Sequence, residues 1–415
     1  MTEVKLTDAV VQLMQKGVSI PSPWTVEIGP GVDPAKISGE GVTFHGGTRI
    51  YGAKTVISPN VTLGYEAPVT IENCQLGRSV ELKGGFFKES VFLEKASAAL
   101  GAHVREACIL EEESSCSHTV GLKQTILFPF VTLGSLINFC DCLMAGGTSR
   151  KNHSEVGSSY IHFNYTPNQD KATASLIGDV PRGVMLRMPP IFLGGQGGLV
   201  GPARIGYGTV IAAGSVVRRD CPGGTLVREG VKESRDDFHP GFYADIQRRV
   251  FNNILYIANL LALRQWYCHV RRPFFQPEEH GPDIYEGAME KLQMALVERV
   301  RRFEDLAERM EASIAAGEEI LSGDAKEKLL AHTRQFYRAW PRMKSFFTHG
   351  DEEEAAVEKR DFFLRATEER RAREGTRYIA VIQALDDDAA AAGVAWLQAI
   401  VDAVTERALE ELRRV

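Results

Sequence analysis

Aliphatic residues stand six apart at Ile205, Ile211 and Val217, with a small residue following at Gly206 and Ala212. Thr209 and Ser215 sit four places beyond the first two aliphatic positions. A period of six fits neither the ~3.6 of a helix nor the simple alternation of a strand. It is the period of a parallel β-helix, in which each hexad forms one side of a triangular coil. The aliphatic side chain enters a narrow core, and the small residue sits where the chain turns a corner.

Shorter pieces of the same pattern recur upstream: Ile28-Gly29, Leu63-Gly64, Leu76-Gly77, Leu100-Gly101, Leu133-Gly134, Val156-Gly157 and Ile177-Gly178. From Trp24 to Arg228 there is room for roughly ten coils of three hexads, each hydrogen-bonded to its neighbours ~4.8 Å away. The pattern predicts two breaks, at Cys142–Glu155 and Pro181–Pro202, and loops that leave a repetitive scaffold tend to carry function. The first break holds Gly146-Gly147-Thr148-Ser149-Arg150-Lys151-Asn152-His153 and the second a glycine cluster from Gly194 to Gly198. That cluster lacks the Gly-Lys-Ser/Thr of a phosphate loop, so close backbone packing is its expected use.

Beyond Glu229–Asp237 the apolar spacing becomes helical. Ile246, Val250, Ile254, Ile257 and Leu261 keep steps of three and four, as do Leu292, Leu296, Val300, Phe303, Leu306, Met310 and Ile314. Further helices are predicted at 324–347, 352–373 and 390–413. Each must bury an apolar stripe, which predicts a bundle. The fold class expected is therefore mainly β then α: a left-handed parallel β-helix over 23–232, then an α-helical domain over 233–415. Residues 1–22 are expected to cap the open end of the coil with a short helix, because a bare end exposes a sheet edge.

Composition adds limits. Hydrophobic residues make up 44% and charged residues 25% of 415, the profile of a soluble globular chain. A net charge of −6 argues against broad nucleic-acid binding, and no apolar run approaches the ~18 residues of a membrane span. The N-terminus has no signal-peptide core. The seven cysteines are scattered. Cys140 and Cys142 are the close pair, and buried reduced thiols are expected there rather than a metal site. A cytoplasmic location fits.

The stretch Phe163-Asn164-Tyr165-Thr166-Pro167-Asn168-Gln169-Asp170-Lys171-Ala172-Thr173, then Ile177-Gly178-Asp179, Leu199-Val200-Gly201-Pro202 and the hexads from Ile205 to Asp220 resembles a known family. That family is the C-terminal acetyltransferase domain of bifunctional UDP-N-acetylglucosamine pyrophosphorylase/glucosamine-1-phosphate acetyltransferases. The resemblance implies acetyl-CoA or another acyl-CoA as cofactor, an amino sugar phosphate or nucleotide-sugar as substrate, and a homotrimer. It implies sugar contacts at Asn164 and Tyr165, a phosphate contact near Lys171 (one place off in an ungapped alignment), an acyl-CoA groove at Ala213 and a cofactor-phosphate contact near Arg228. Without the family, Asn164-Tyr165 reads as a turn Asn and a packing Tyr.

Two departures matter. The nucleotide loop of the pyrophosphorylase half does not occur before Trp24, so uridylyl transfer is not expected. The family's catalytic histidine aligns with Phe139, leaving His153 in the first break and His162 as candidate bases for the attacking amine. His162 is expected on a strand with its side chain outward, toward a groove. Two functions follow: an acyl-CoA-dependent N-acyltransferase, or a catalytically inactive sugar-nucleotide-binding or scaffold protein on the same β-helix, its helical domain recruiting a partner.

Overall fold

Short apolar-small hexads fold as rungs because one inward residue per rung fills a narrow core and the following residues turn the corner. The computed structural model describes residues 6–230, 233, 235, 237–349 and 355–414; residues 1–5 of the expected cap, 352–354 of one expected helix and the expected boundary residue 232 lie outside these. Within them the chain winds into a parallel β-helix of three faces. Face 1 runs from Glu27–Ile28 to Val216–Val217, face 2 from Val56–Ile57 to Arg204–Ile205, and face 3 from Thr43–Phe44 to Leu226–Val227. Face 3 is one unbroken ladder of ten strands. On face 1, Ile28, Ile50, Ile71, Phe87, Val104, Leu122 and Phe139 form a single buried column, the first six paired in register one coil to the next and Leu122 with Phe139.

Three excursions leave the coil, at 145–154, 164–174 and 178–191. The strand Ile137–Met144 keeps Cys142 in register with Ser175, so the first break begins at Ala145, three residues later than its sequence suggests. The second ends early, because Phe192–Leu193 and Gly197–Val200 are regular rungs. Gly194 turns the corner between them, where a Cβ would lie 2.3 Å from the Ala213 nitrogen of the next coil. The glycine cluster thus serves close packing of backbone, and not a loop.

Residues with positive φ turn the corner between faces 3 and 1, among them Gly64, Gly101 and Gly214 and also Thr119, Leu136, Ser159 and Gln196. Side-chain-bearing residues also turn the corner between faces 1 and 2. There Asn73, Glu89, Ala107, Gln124 and Asp141 stack with φ between 46° and 63°, a left-handed conformation that costs an L-residue ~1–2 kcal/mol. Backbone bonds between coils offset part of this: the Ala107 N–H donates to the Glu89 carbonyl at 3.0 Å and the Gln124 N–H to the Glu106 carbonyl at 3.0 Å.

The helices are α1 (Asp8–Lys16), α2 (Val180–Gly183), α3 (Gln247–Trp266), α4 (Arg272–Phe275), α5 (Gly281–Glu308), α6 (Met310–Ile320), α7 (Asp324–His349), α8 (Val357–Glu374), α9 (Tyr378–Gln383) and α10 (Asp387–Arg413). The helical spacing read from Leu292 to Ile314 divides at Arg309 into α5 and α6. Face 2 is covered by α3 and α5. From the late coils back toward the early ones, Asn252 of α3 donates to Asp220 and Asn253 to the Ala172 carbonyl, both at 3.0 Å. The π-helical turn Tyr267–Arg271 then brings Tyr267 OH to 2.6 Å from Glu111 and pairs Arg271 with Glu112 through both terminal nitrogens. Helix α5 returns along the corner between faces 1 and 2. Its Asp283 meets Lys36 at 2.8 Å, Glu290 meets Lys54 at 2.6 Å, Lys291 meets Glu89 at 2.6 Å and Arg299 meets Asp141 at 2.7 Å. Gly287 lets it approach closely, since a Cβ there would lie 2.4 Å from the Gln75 side chain. The outer helices pack against these two through aromatic clusters, Phe303 with Phe336 and Trp340, and Trp266 with Phe363. Solvent-excluded apolar side chains form one continuous core through coil and helices.

The Lys291 side chain is wholly buried, so its partner matters more than the pair's net worth. Replacing Glu89 with Gln is expected to lower the unfolding free energy by ~2 kcal/mol, because it leaves the buried Lys291 charge only the more distant Glu290, at 3.5 Å. Adding Lys291→Met recovers most of that loss, as equilibrium denaturant unfolding of the single and double variants would show.

Candidate functional site

The excursion 164–174 leaves the coil at the corner of faces 1 and 2, directly after the strand Tyr160–Phe163. Beside it lies a cavity of about 410 Å³ whose walls carry Arg105, Lys123, Lys171 and Arg302 against two carboxylates, Asp141 and Glu298. His162, Asn164 and Tyr165 line the same cavity. Four residues singled out in the sequence therefore converge: His162, Asn164, Tyr165 and Lys171. Arg105 and Lys123 come from earlier rungs of face 1, and Glu298 and Arg302 from α5. None of these four stood out in the sequence, because nothing in a hexad marks which outward residue faces a loop inserted two or three coils later.

Both acids are already committed. Asp141 is held at 2.7 Å by Arg299 and accepts from the Asn164 amide at 3.2 Å. Burial pushes the Glu298 carboxyl up, but hydrogen bonds from Arg301 and Arg302 outweigh it and hold the group below its usual range. Lys123 stands 3.4 Å from Glu106. Arg105 and Lys171 are exposed and make no ion pair among the described residues. The cavity therefore has cationic charge to spare and suits an anion. Tyr165, 60% exposed, adds an open ring at its rim.

His162 points inward. Strand alternation buries Tyr160 and His162 and exposes Ile161 and Phe163, so the outward orientation expected from sequence is wrong by one residue of register. His162 continues the face 1 core column, paired in register with Leu199 and edge-on to Phe139 at 6.4 Å. Its Nδ1 lies 2.6 Å from the Cys140 carbonyl, which only accepts, so Nδ1 carries the proton. Nε2 then accepts from Ser175 Oγ at 2.8 Å, and that hydroxyl accepts in turn from the Ala203 N–H at 2.9 Å. Burial pushes the imidazole down to about 4. Phe139, where the family's histidine aligns, is fully buried.

The remaining candidates lie on other corners. His153 closes the hairpin Gly147–Ser149/Asn152–His153 between faces 2 and 3, with Nδ1 2.9 Å from the Arg150 carbonyl and Nε2 3.7 Å from Glu155. Ala213 is exposed at the corner of faces 3 and 1, and exposed Arg228 follows the last strand of face 3. One chain does not bring His153, Ala213 or Arg228 to the cavity. Cys140 is on face 1 and Cys142 on face 2, separated by the corner residue Asp141. Burial raises the Cys140 thiol. No helix of the described residues is long and apolar enough to cross a membrane.

Because the folded chain holds His162 neutral while an unfolded chain takes up its proton near pH 6.5, stability falls as pH drops from about 6.5 toward 4 and levels off below. The full window is worth ~3 kcal/mol. Denaturant unfolding across this range is expected to show a shallower acid loss in His162→Gln than in the parent chain.

Comparison with known proteins follows the same lines. No protein-family model matches the chain. The chain is 28% identical over 229 residues to the bifunctional protein GlmU of Thermotoga petrophila, covering 54% of this chain and 46% of that protein. The GlmU of Pelobacter propionicus is 30% identical over 226 residues, covering 52% and 41%. Among solved structures, the UDP-N-acetylglucosamine acyltransferase of Campylobacter jejuni aligns over 76% of this chain and 93% of its own at 13% identity, but its TM-score of 0.16 carries no argument. The chain spans less than half the length of the curated relatives it matches. With its hexapeptide β-helix and this likeness over about half its length, the chain resembles the hexapeptide-repeat acetyltransferases.

Proposed function

We propose that the corner cavity binds an amino sugar phosphate or a nucleotide-sugar. The observation that carries this is the convergence of Asn164, Tyr165 and Lys171 with the cations Arg105 and Lys123 in one cavity of about 410 Å³. The phosphate would sit against Lys171, Arg105 and Lys123, the Asn164 side chain would orient a sugar hydroxyl or amine, and the Tyr165 ring would cover an apolar ring face. The likeness to bifunctional GlmU proteins supports the same ligand class and suggests the reaction: N-acylation of the bound amine by an acyl-CoA.

Transfer needs a group to take the amine proton as the thioester is attacked. Within one chain the histidine beside the cavity, His162, points into the core, and its free lone pair already accepts from Ser175. His153, Ala213 and Arg228 would reach such a cavity only from neighbouring copies, so the acyltransferase reading goes with a homotrimer in which acyl-CoA lies between coils. The engaged His162 and the buried Phe139 favour a second reading, in which the cavity binds its ligand without transfer.

Titration calorimetry with glucosamine 1-phosphate and with UDP-glucosamine is expected to show saturable binding that weakens with salt. Lys171→Ala and Arg105→Ala are each expected to weaken it by about tenfold or more, the loss of one charge-assisted contact. Absence of binding by either compound overturns the proposal. Acetyl-CoA consumption that His153→Ala abolishes supports transfer; binding without consumption supports the second reading.

A further inference from the structure

The excursion that carries the candidate ligand contacts alternates in exposure along its length. Tyr165, Pro167, Gln169 and Lys171 are exposed, whereas Thr166, Asp170 and Ala172 are buried and Asn164 and Asn168 half-buried. The segment lies outside the strands of the coil, so no ladder imposes this alternation. Its inward residues are instead held, one after another, by the C-terminal helical region. Asn164 donates to Asp141, whose other oxygen is gripped by Arg299 of α5. Asp170 accepts from Tyr243 OH at 3.0 Å, in the segment leading into α3, and lies 3.9 Å from Arg249. Burial and the adjacent Asp170 push the Tyr243 phenol up to about 12, so it keeps the proton it donates.

Asn168 is held on three sides. Its amide donates to the Phe242 carbonyl at 3.0 Å, its side-chain oxygen accepts from the Gly241 N–H at 2.9 Å, and its own carbonyl accepts from Arg309 at 2.8 Å. Arg299 also reaches the Lys171 carbonyl at 3.4 Å, and Asn253 donates to the Ala172 carbonyl at 3.0 Å. Among the described residues, the loop's only long-range tie to the coil by a side chain of its own is the Asn164–Asp141 bond, and Arg299 completes that one.

We propose that the helical region sets the conformation of this loop, with Asn168 and Arg299 as positioning residues that present Tyr165 and Lys171 to the cavity. A loop fixed on its far side loses little freedom when a ligand arrives, so ordering is settled at folding and not charged against binding. The claim about loop order stands on contacts alone; its bearing on affinity rests on the reading of the cavity given above. Helical region and cavity are thereby one device, and the helices are more than an appended module.

Hydrogen exchange on the full chain, read by mass spectrometry over 164–172, tests this with Asn168→Ala, Arg299→Lys and Lys171→Ala. Asn168→Ala and Arg299→Lys are expected to speed exchange in the loop by about tenfold while the rungs of the coil and α5 keep their protection. Lys171→Ala, which keeps the backbone carbonyl that Arg299 reaches, leaves the loop as in the parent chain. Unchanged loop exchange in both positioning variants, or a loss of protection spread over the whole chain, overturns the proposal. With glucosamine 1-phosphate as probe, Asn168→Ala is expected to weaken binding about tenfold although it touches no ligand; unchanged affinity overturns the coupling. A parent chain that does not bind the probe removes the reading of the cavity, and the exchange result then decides this inference by itself.

Discussion

Two repeat distances nearly coincide in this molecule. Coils of a parallel β-helix stack ~4.8 Å apart, and an α-helix climbs 5.4 Å per turn. A helix laid along the coil axis can therefore stay beside the stack over many rungs, and α5 touches it at intervals. Its Asp283, Glu290, Lys291 and Arg299 meet Lys36, Lys54, Glu89 and Asp141 on successive stretches of the coil. Two of the partners, Glu89 and Asp141, are corner residues with positive φ. A glycine would turn those corners at lower conformational cost and would offer nothing to a helix. The two acidic corners and the buried cations Lys291 and Arg299 of α5 are thus two halves of one interaction, and the candidate cavity lies where it ends, at Asp141 and Arg299.

How much of this was readable beforehand follows from which contacts are local. The hexads at Ile205, Ile211 and Val217 announce a coil because their period is set within one rung and the next. The helices after Glu229 announce themselves equally, through stripes of apolar residues at steps of three and four. Asn164, Tyr165 and Lys171 were found through resemblance to a family. Arg105 and Lys123 were not found, since they precede the loop they face by up to three coils. Arg299 and Asn168 were invisible for a deeper reason: their partners are 158 and about 70 residues away in the chain. His162 shows how narrow the margin is. A single step of strand register separates a side chain in the groove from one in the core, and the residue before Phe163 could not be assigned to either from its neighbours.

The histidine's final position has a chemical meaning. It occupies a core column otherwise made of aliphatic and aromatic residues, and it is tolerated there because both ring nitrogens find partners, the Cys140 carbonyl and Ser175. That satisfaction is what withdraws it from acid–base work. The same column holds Phe139, the position at which the resemblance to acetyltransferases implies a base. On the proposed reading, anion recognition belongs to outward residues of face 1, and any base would have to replace a residue of the inward column beneath them.

A stack of coils is nearly one-dimensional, and each rung is supported only by the rungs above and below it. Left bare, such an array can fray from either end, coil by coil. The pairing of α5 with Lys36 near the start and with Asp141 well into the stack, together with α3 fastened to Ala172 and Asp220 farther on, ties distant rungs to shared rigid rods. An early coil cannot then open without disturbing a helix that late coils also hold. The helical layer ties the fraying of one end of the stack to that of the other, so the coils act less as a zipper than as one body.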